Sequence, residues 1–208
     1  MQTKIIIRLV IGVFFIFNIT AINAQVIETI GQNNNSFEII SSSEEGLTIK
    51  VTIGNYKKTP VIINGETYYS VENEIGTPII KSGYPDLPKI TKSIIIPNLS
   101  DVSASVISSE YIDLNMQVAP SKGILLRTVD PNTVPYAFDA VYNSDQFFPQ
   151  VYYDIGDPYI LHTKRGIVLK LYPFSYNPIQ QIVRVYTSLT INILFNGLKY
   201  SKCVVSNY

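Results

Sequence analysis

The chain has no tryptophan, one cysteine and one histidine, and only 15% of its 208 residues are charged. A lone Cys203 cannot close a disulfide within the chain, so the fold must be held by packing alone. One Cys beside one His, His162, also leaves out zinc sites built from several such ligands. The formal net charge is +0 and no block of Lys and Arg occurs, which excludes binding to nucleic acid through phosphate neutralisation. Glycines are isolated, so no loop is built to cradle a phosphate, and nothing in the chain calls for a cofactor. The longest apolar stretch, from Ile5 to Phe17 with Arg8 inside it, is shorter than the about 20 residues needed to cross a bilayer.

That stretch has a different use. Lys4 and Arg8 precede an apolar run from Leu9 to Phe17, and small or polar residues follow up to Ala24. A positive start, a short apolar middle and a small-residue exit predict a secretory signal peptide over residues 1–24, cleaved after Ala24. The protein is then exported, periplasmic or extracellular, with no membrane span left after cleavage. Loss of Lys4 and Arg8 gives a net charge of about −2. Export without a cystine framework fits a bacterial protein better than an animal one.

Residues 25–208 read as one all-β domain. Leu47–Ile53, Val102–Val106 and, most strictly, Val183–Ile193 alternate apolar and polar residues, the mark of strands with one buried face. Ile94–Ile96 and Ile167–Leu169 lack alternation and suggest strands buried on both faces. Asn64-Gly65 between two apolar segments is a hairpin signal. The 12 prolines punctuate the chain, and none is expected inside a central strand. Polar segments 32–36 and 41–45 read as mobile loops. The resulting expectation is an antiparallel β-sandwich or a barrel-like fold.

Candidate chemistry is sparse. A Cys–His dyad would pair His162, at a strand end, with Cys203 five residues from the C-terminus, where chains fray. A partly buried strand histidine and an incidental thiol are the simpler reading. Asp139, Asp145, Asp154 and Asp157 gather in loops without the alternating pattern of a calcium loop, and read as solvated turn residues and not as a metal site. The surplus lies in 15 tyrosines, which suit strand faces and partner or sugar-binding surfaces alike. A secreted adhesion or carbohydrate-binding β-sandwich therefore stands as an alternative.

An ordered set of segments adds a resemblance. Gly83-Tyr84-Pro85-Asp86-Leu87-Pro88 with Ile94–Pro97 is followed by Ala119-Pro120-Ser121-Lys122-Gly123, Arg127 and Asp130-Pro131. Then come Val134-Pro135-Tyr136, Tyr142–Pro149, Arg165-Gly166, Pro173–Pro178 and Arg184-Val185-Tyr186. The set resembles the N-terminal propeptide of gingipain-type cysteine peptidases of Bacteroidetes. The resemblance implies a non-catalytic, all-β pro-domain that assists folding of its peptidase and blocks it until cleavage. It further implies a basic residue on a pro-domain loop that enters the peptidase's specificity pocket. Arg127, after the Pro120–Gly123 turn, matches the family's basic position; Lys122 is a second candidate on that loop, and Lys164 and Arg165 are weaker ones elsewhere. The expected partner is a gingipain-like peptidase catalytic domain, which in the family lies in cis. Because the chain stops at Tyr208, about where the propeptide would end, it reads either as a truncated precursor or as a pro-domain acting in trans.

Overall fold

The computed structural model describes residues 25–31 and 34–197, with the backbone of Val205–Ser206. The signal-peptide expectation and Cys203 lie outside the described residues. The strands are β1 Val26–Thr29, β2 Ser36–Ser42, β3 Gly46–Thr52, β4 Asn55–Ile63, β5 Glu66–Glu72, β6 Thr77–Pro78 and β7 Pro88–Ile96. They continue with β8 Asp101–Asn115, β9 Tyr153–Ile155, β10 Tyr159–Leu161, β11 Lys164–Leu171, β12 Phe174–Asn177, β13 Ile182–Asn196 and β14 Val205–Ser206. Two short 3-10 turns, Pro131–Thr133 and Ala140–Asn143, are the helical elements among the described residues. The fold is all-β, and every strand pairing is antiparallel.

Long β13 organises one sheet. One of its edges pairs with β12 and then β3, the other with β8 along its whole length, and β2 extends the sheet beyond β3. The odd-numbered side chains of β3 and β13, from Leu47 to Val51 and from Val183 to Phe195, are buried almost throughout. They merge into one apolar cluster with Ile90, Ile94 and Ile96 of β7 and Ile167, Leu169 and Leu171 of β11, the central strands of the second sheet. Two sheets closed on a shared core make the expected sandwich. A third sheet, β1-β4-β5, joins this core through Tyr56 and Val71, and the Tyr56 ring meets Phe174 edge-on at 5.9 Å.

Several local expectations are corrected. The apolar runs of β7 and β11 do alternate in burial, with Ile95 and Val168 only half-buried, because the outer face of this sheet is only partly covered. Pro60 lies within β4, the middle strand of its sheet, but beyond Lys58, where pairing with β1 stops. Its missing N–H therefore faces an unpaired edge. Ser41 and Ser42 belong to β2, and Ser43–Glu45 is a tight turn closed by Ser43 N–H donating to the Gly46 carbonyl at 2.8 Å. Asn35 is an anchor: its side-chain oxygen accepts from Gly54 N and Asn55 N at 2.9 and 3.1 Å, and its amide donates to Asn55 Oδ1 at 2.8 Å.

The Asn64-Gly65 turn forms as expected, joining Ile63 to Glu66 with φ of 53° and 86°. Both values lie in the left-handed region that a two-residue hairpin of this twist requires. Gly65→Ala meets no atom within 4 Å, so its cost is backbone strain alone, roughly 1 kcal/mol. Urea unfolding should show a midpoint lowered by about 0.3–1 M with an unchanged slope.

Candidate functional site

The segment after β8 does not return directly to a sheet. Residues 117–121 are laid between two other segments by backbone hydrogen bonds. Tyr69 N donates to Gln117 O and Ala119 N to Tyr69 O, both at 2.8 Å, while Asp86 N donates to Ala119 O at 2.9 Å and Ser121 N to Tyr84 O at 2.7 Å. From there the chain makes an excursion and comes back at Asp139.

Both ends of that excursion are held by one residue. Gly83 N donates to Ser121 O at 2.9 Å, and Asp139 N donates to Gly83 O at 3.0 Å. Gly83 is buried with φ at +80°, and a Cβ there would lie 3.0 and 3.1 Å from the Cβ and N of Asp139. Only glycine meets both demands at low cost. The returning stem is packed as well as bonded: Phe138 lies against the Tyr68 and Tyr142 rings at 5.4 and 4.8 Å, and Tyr142 reaches Tyr176 at 6.1 Å. Tyr142 Oη donates to Val118 O at 3.0 Å, so this stack ties the far stem to the near one. Burial pushes the phenols of Tyr142 and Tyr176 up, the latter to about 12, so both remain neutral.

Within the excursion, Lys122 Nζ donates to Pro131 O at 2.7 Å and lies 4.2 Å from the centre of the Tyr136 ring. Asp130 accepts from Asn132 N through its carboxylate at 2.9 Å and from Thr133 N through its carbonyl at 3.0 Å. Between these fixtures, Leu126 to Val129 form a turn, with Val129 N donating to Leu126 O at 3.0 Å. Arg127 sits in this turn, exposed, without a hydrogen bond, ion pair or ring contact to the described residues. Its neighbours Ile124 and Leu126 are 85% and 74% exposed. The turn thus presents an unpaired guanidinium flanked by two exposed apolar side chains.

The other basic candidates lie apart. Lys122 is on the same loop, but its ammonium is already engaged. Lys164 is exposed at the start of β11, and Arg165 is half-buried with Nη1 donating to Ser100 O at 2.7 Å. Arg165 pairs with Ile96, whereas Ser121 and Gly123 line a cleft with Pro88. The length of β7 therefore puts roughly 25 Å between Arg165 and the base of the Arg127 loop. His162 is neither in a strand nor partly buried: it is exposed, with φ 55°, in the two-residue turn from β10 to β11. Among the described residues no three His, Cys, Asp or Glu side chains form a metal-binding group. Asp145 instead accepts from Asn177 and Gln180 at 2.9 and 2.8 Å, and Asp154 pairs with Lys170 at 2.9 Å. Among the described residues, tyrosines form the stack behind the loop and, separately, an outward group of Tyr111, Tyr152 and Tyr186. In the second group the Arg184 guanidinium lies 4.0 Å from the Tyr111 ring and holds Asp113 through two 2.8 Å bonds.

A cleft of about 410 Å³ lies under the loop's base, lined by Ser70, Glu72, Asp86, Ser121 and Gly123 among others. Burial pushes the Asp86 carboxyl above the usual carboxylate range; the Ser70 hydroxyl, donating at 2.6 Å, opposes this, and Glu72 adds to it. A carboxyl whose folded pKa is raised holds its proton more tightly in the folded state, so its contribution to stability grows as pH falls through the raised value. Asp86→Asn should therefore flatten the dependence of melting temperature on pH between neutrality and the carboxylate range. Thermal melts across that range check it.

Comparison with known proteins places the chain in a family. The family model Propeptide_C25 matches residues 27–202. Gingipain R1 of Porphyromonas gingivalis is 30% identical over 167 residues, covering 79% of this chain but 17% of the relative, and Lys-gingipain HG66 of the same organism is 24% identical over 173 residues. The chain thus spans about a sixth or less of the length of these relatives. A solved complex of the Porphyromonas gingivalis RgpB pro- and mature domains contains a chain that superposes with a TM-score of 0.75 at 27% identity, covering 81% of this chain and 87% of that one. A structure concerned with zymogenic latency of gingipain K superposes at 0.72 and 18% identity, covering 84% of this chain and all of that one, and shows the same fold. Among the described residues no helix is long and apolar enough to cross a membrane.

Proposed function

The chain is a gingipain-type propeptide domain of the Propeptide_C25 family, and from that premise we propose that it binds and silences a gingipain-like cysteine peptidase by presenting Arg127 to the specificity pocket. The observation that carries this reading is the loop itself: an exposed, unpaired guanidinium between exposed Ile124 and Leu126, on a turn whose two stems are both bonded to Gly83. A guanidinium forms two parallel hydrogen bonds to a pocket carboxylate and keeps its charge at every working pH. A turn already held in its bound shape loses little entropy on docking, which strengthens binding without adding contacts. Ile124 and Leu126 supply apolar surface on either side of the charge.

The same contact serves folding. A domain that binds the folded peptidase and not the unfolded one stabilises the folded form by mass action, which is the physical content of an intramolecular chaperone. Whether the peptidase follows in the same polypeptide or is a separate protein, the docking surface is the same. Export by the 1–24 leader would bring the domain to the periplasm or beyond, where such peptidases work.

The experiment is a titration of the purified chain against an arginine-specific peptidase of the gingipain type. Competitive inhibition at sub-micromolar concentration is expected. No inhibition at tens of micromolar would refute the reading.

A further inference from the structure

We infer that Lys122 is a positioning residue that keeps the inhibitory loop assembled across the Arg127–Thr128 bond, so that a peptidase which cuts this bond does not escape inhibition. The inference rests on the docking role proposed for Arg127 and concerns what happens after docking. Arg127 sits where a substrate's cleaved residue would sit, so Arg127–Thr128 is the bond exposed to attack. Residues on its two sides are cross-linked by side chains, independently of that bond. Lys122, before it, donates to Pro131 O at 2.7 Å and lies over Tyr136, both after it. The outer ends are fixed again, Ser121 and Asp139 both through Gly83 and Tyr142 to Val118.

The consequence follows from the chemistry of a cysteine peptidase. Its thiolate adds to the Arg127 carbonyl carbon, the bond to the Thr128 nitrogen breaks, and that nitrogen takes a proton from the peptidase's general acid. Water can then release Arg127 as a carboxylate. Alternatively, the Thr128 amine returns the proton to the imidazole, attacks the thioester and expels the thiolate, restoring the peptide bond. In a free substrate the amine diffuses away and water wins. Here the 131–136 segment is tethered to Lys122, five positions before Arg127, and the amine stays at an effective concentration of millimolar order or above. Resealing then competes with hydrolysis, and the intact and cut loops exchange without leaving the peptidase.

Lys122→Met tests this, since it keeps an unbranched side chain of similar length and removes the ammonium, and with it both the bond to Pro131 O and the cation–π contact with Tyr136. The full chain and the variant are each held with a slight molar excess over an arginine-specific gingipain-type peptidase. Residual activity and the fraction cut at Arg127–Thr128, measured by mass spectrometry, are followed together. The unsubstituted chain should keep inhibiting while a constant, partial fraction is cut. Lys122→Met should start with similar inhibition, then be cut to completion and release activity at least ten-fold faster; Tyr136→Leu, which removes the ring contact, should move the same way. Melting temperatures within about 2 °C of the unsubstituted chain separate a lost brace from a lost fold. Equal persistence of inhibition in all three would overturn the role of Lys122 and leave the docking proposal standing. No inhibition at the first time point by any of them would overturn both.

Discussion

Arg127→Ala is expected to weaken inhibition of an arginine-specific gingipain-type peptidase by about 100-fold or more while leaving the fold untouched. The two halves of this expectation have separate physical origins. Arg127 is exposed and touches none of the described residues by hydrogen bond, ion pair or ring contact, so its removal costs the free domain almost nothing; a melting temperature within about 1 °C is expected. In the complex the opposite holds. The guanidinium would occupy the most buried position of the interface, opposite a carboxylate left unpaired by the alanine, and losing one partner of a desolvated charged pair costs roughly 2–5 kcal/mol. Arg127→Lys should recover only part of the loss, because an ammonium cannot make two parallel bonds to one carboxylate. An inhibition constant for Arg127→Ala within threefold of the unsubstituted chain would remove Arg127 from the site.

Gly83→Ala should act on the same function from the opposite side, through the frame and not the tip. At φ +80° an alanine costs about 1–2 kcal/mol of backbone strain, and its Cβ would press on Asp139 at 3.0–3.1 Å. Asp139 N donates to Gly83 O, so relief of that contact breaks the bond that closes the loop's returning stem. The sum is roughly 2–3 kcal/mol, a fall of several degrees in melting temperature for a domain of this size. Inhibition should weaken by about ten-fold or more although Arg127 is unchanged, because a loosened loop must be ordered on binding. Calorimetry with inhibition kinetics on one preparation checks both effects. Lower stability with full inhibition would mean that Gly83 holds the fold but not the loop.

How much of this was legible in the sequence depends on the range of the interactions involved. Strands β3 and β13 announce themselves because each buries one face, and burial of every second residue is written directly as alternation. The hairpin at Asn64-Gly65 is legible for a similar reason: left-handed backbone restricts the residues that can sit there. Strand β8 was legible only up to Val106. Beyond it the pairing with β13 slips at Ile107 and again near Thr187, so the half-buried positions change from even to odd and back. An alternating pattern cut by bulges ceases to look like one.

The site divides in the same way. Arg127 was reached through the resemblance, and its exposed, unpaired state fits that reading. Lys122 was a candidate for insertion, but nothing in its local sequence shows that Pro131 O and the Tyr136 ring engage its ammonium. Gly83 stood in a quoted motif with no role attached, because its two partners lie at positions 121 and 139 and only the fold brings them together. Lys164 and Arg165 were the weaker basic candidates, and no sequence pattern showed how far from the loop they lie. The length of β7 sets them apart.

The central claim is that the 122–138 loop is the face on which a peptidase docks. Hydrogen exchange of the chain, alone and with a gingipain-type peptidase whose catalytic thiol is blocked, tests this most directly. New protection of backbone amides centred on residues 124–129 is expected, with little change at the Leu99, Ile160 and Arg165 end of the sandwich. Binding that protects that far end, or the outward edge of β8, and leaves 124–129 exchanging as in the free chain would contradict it.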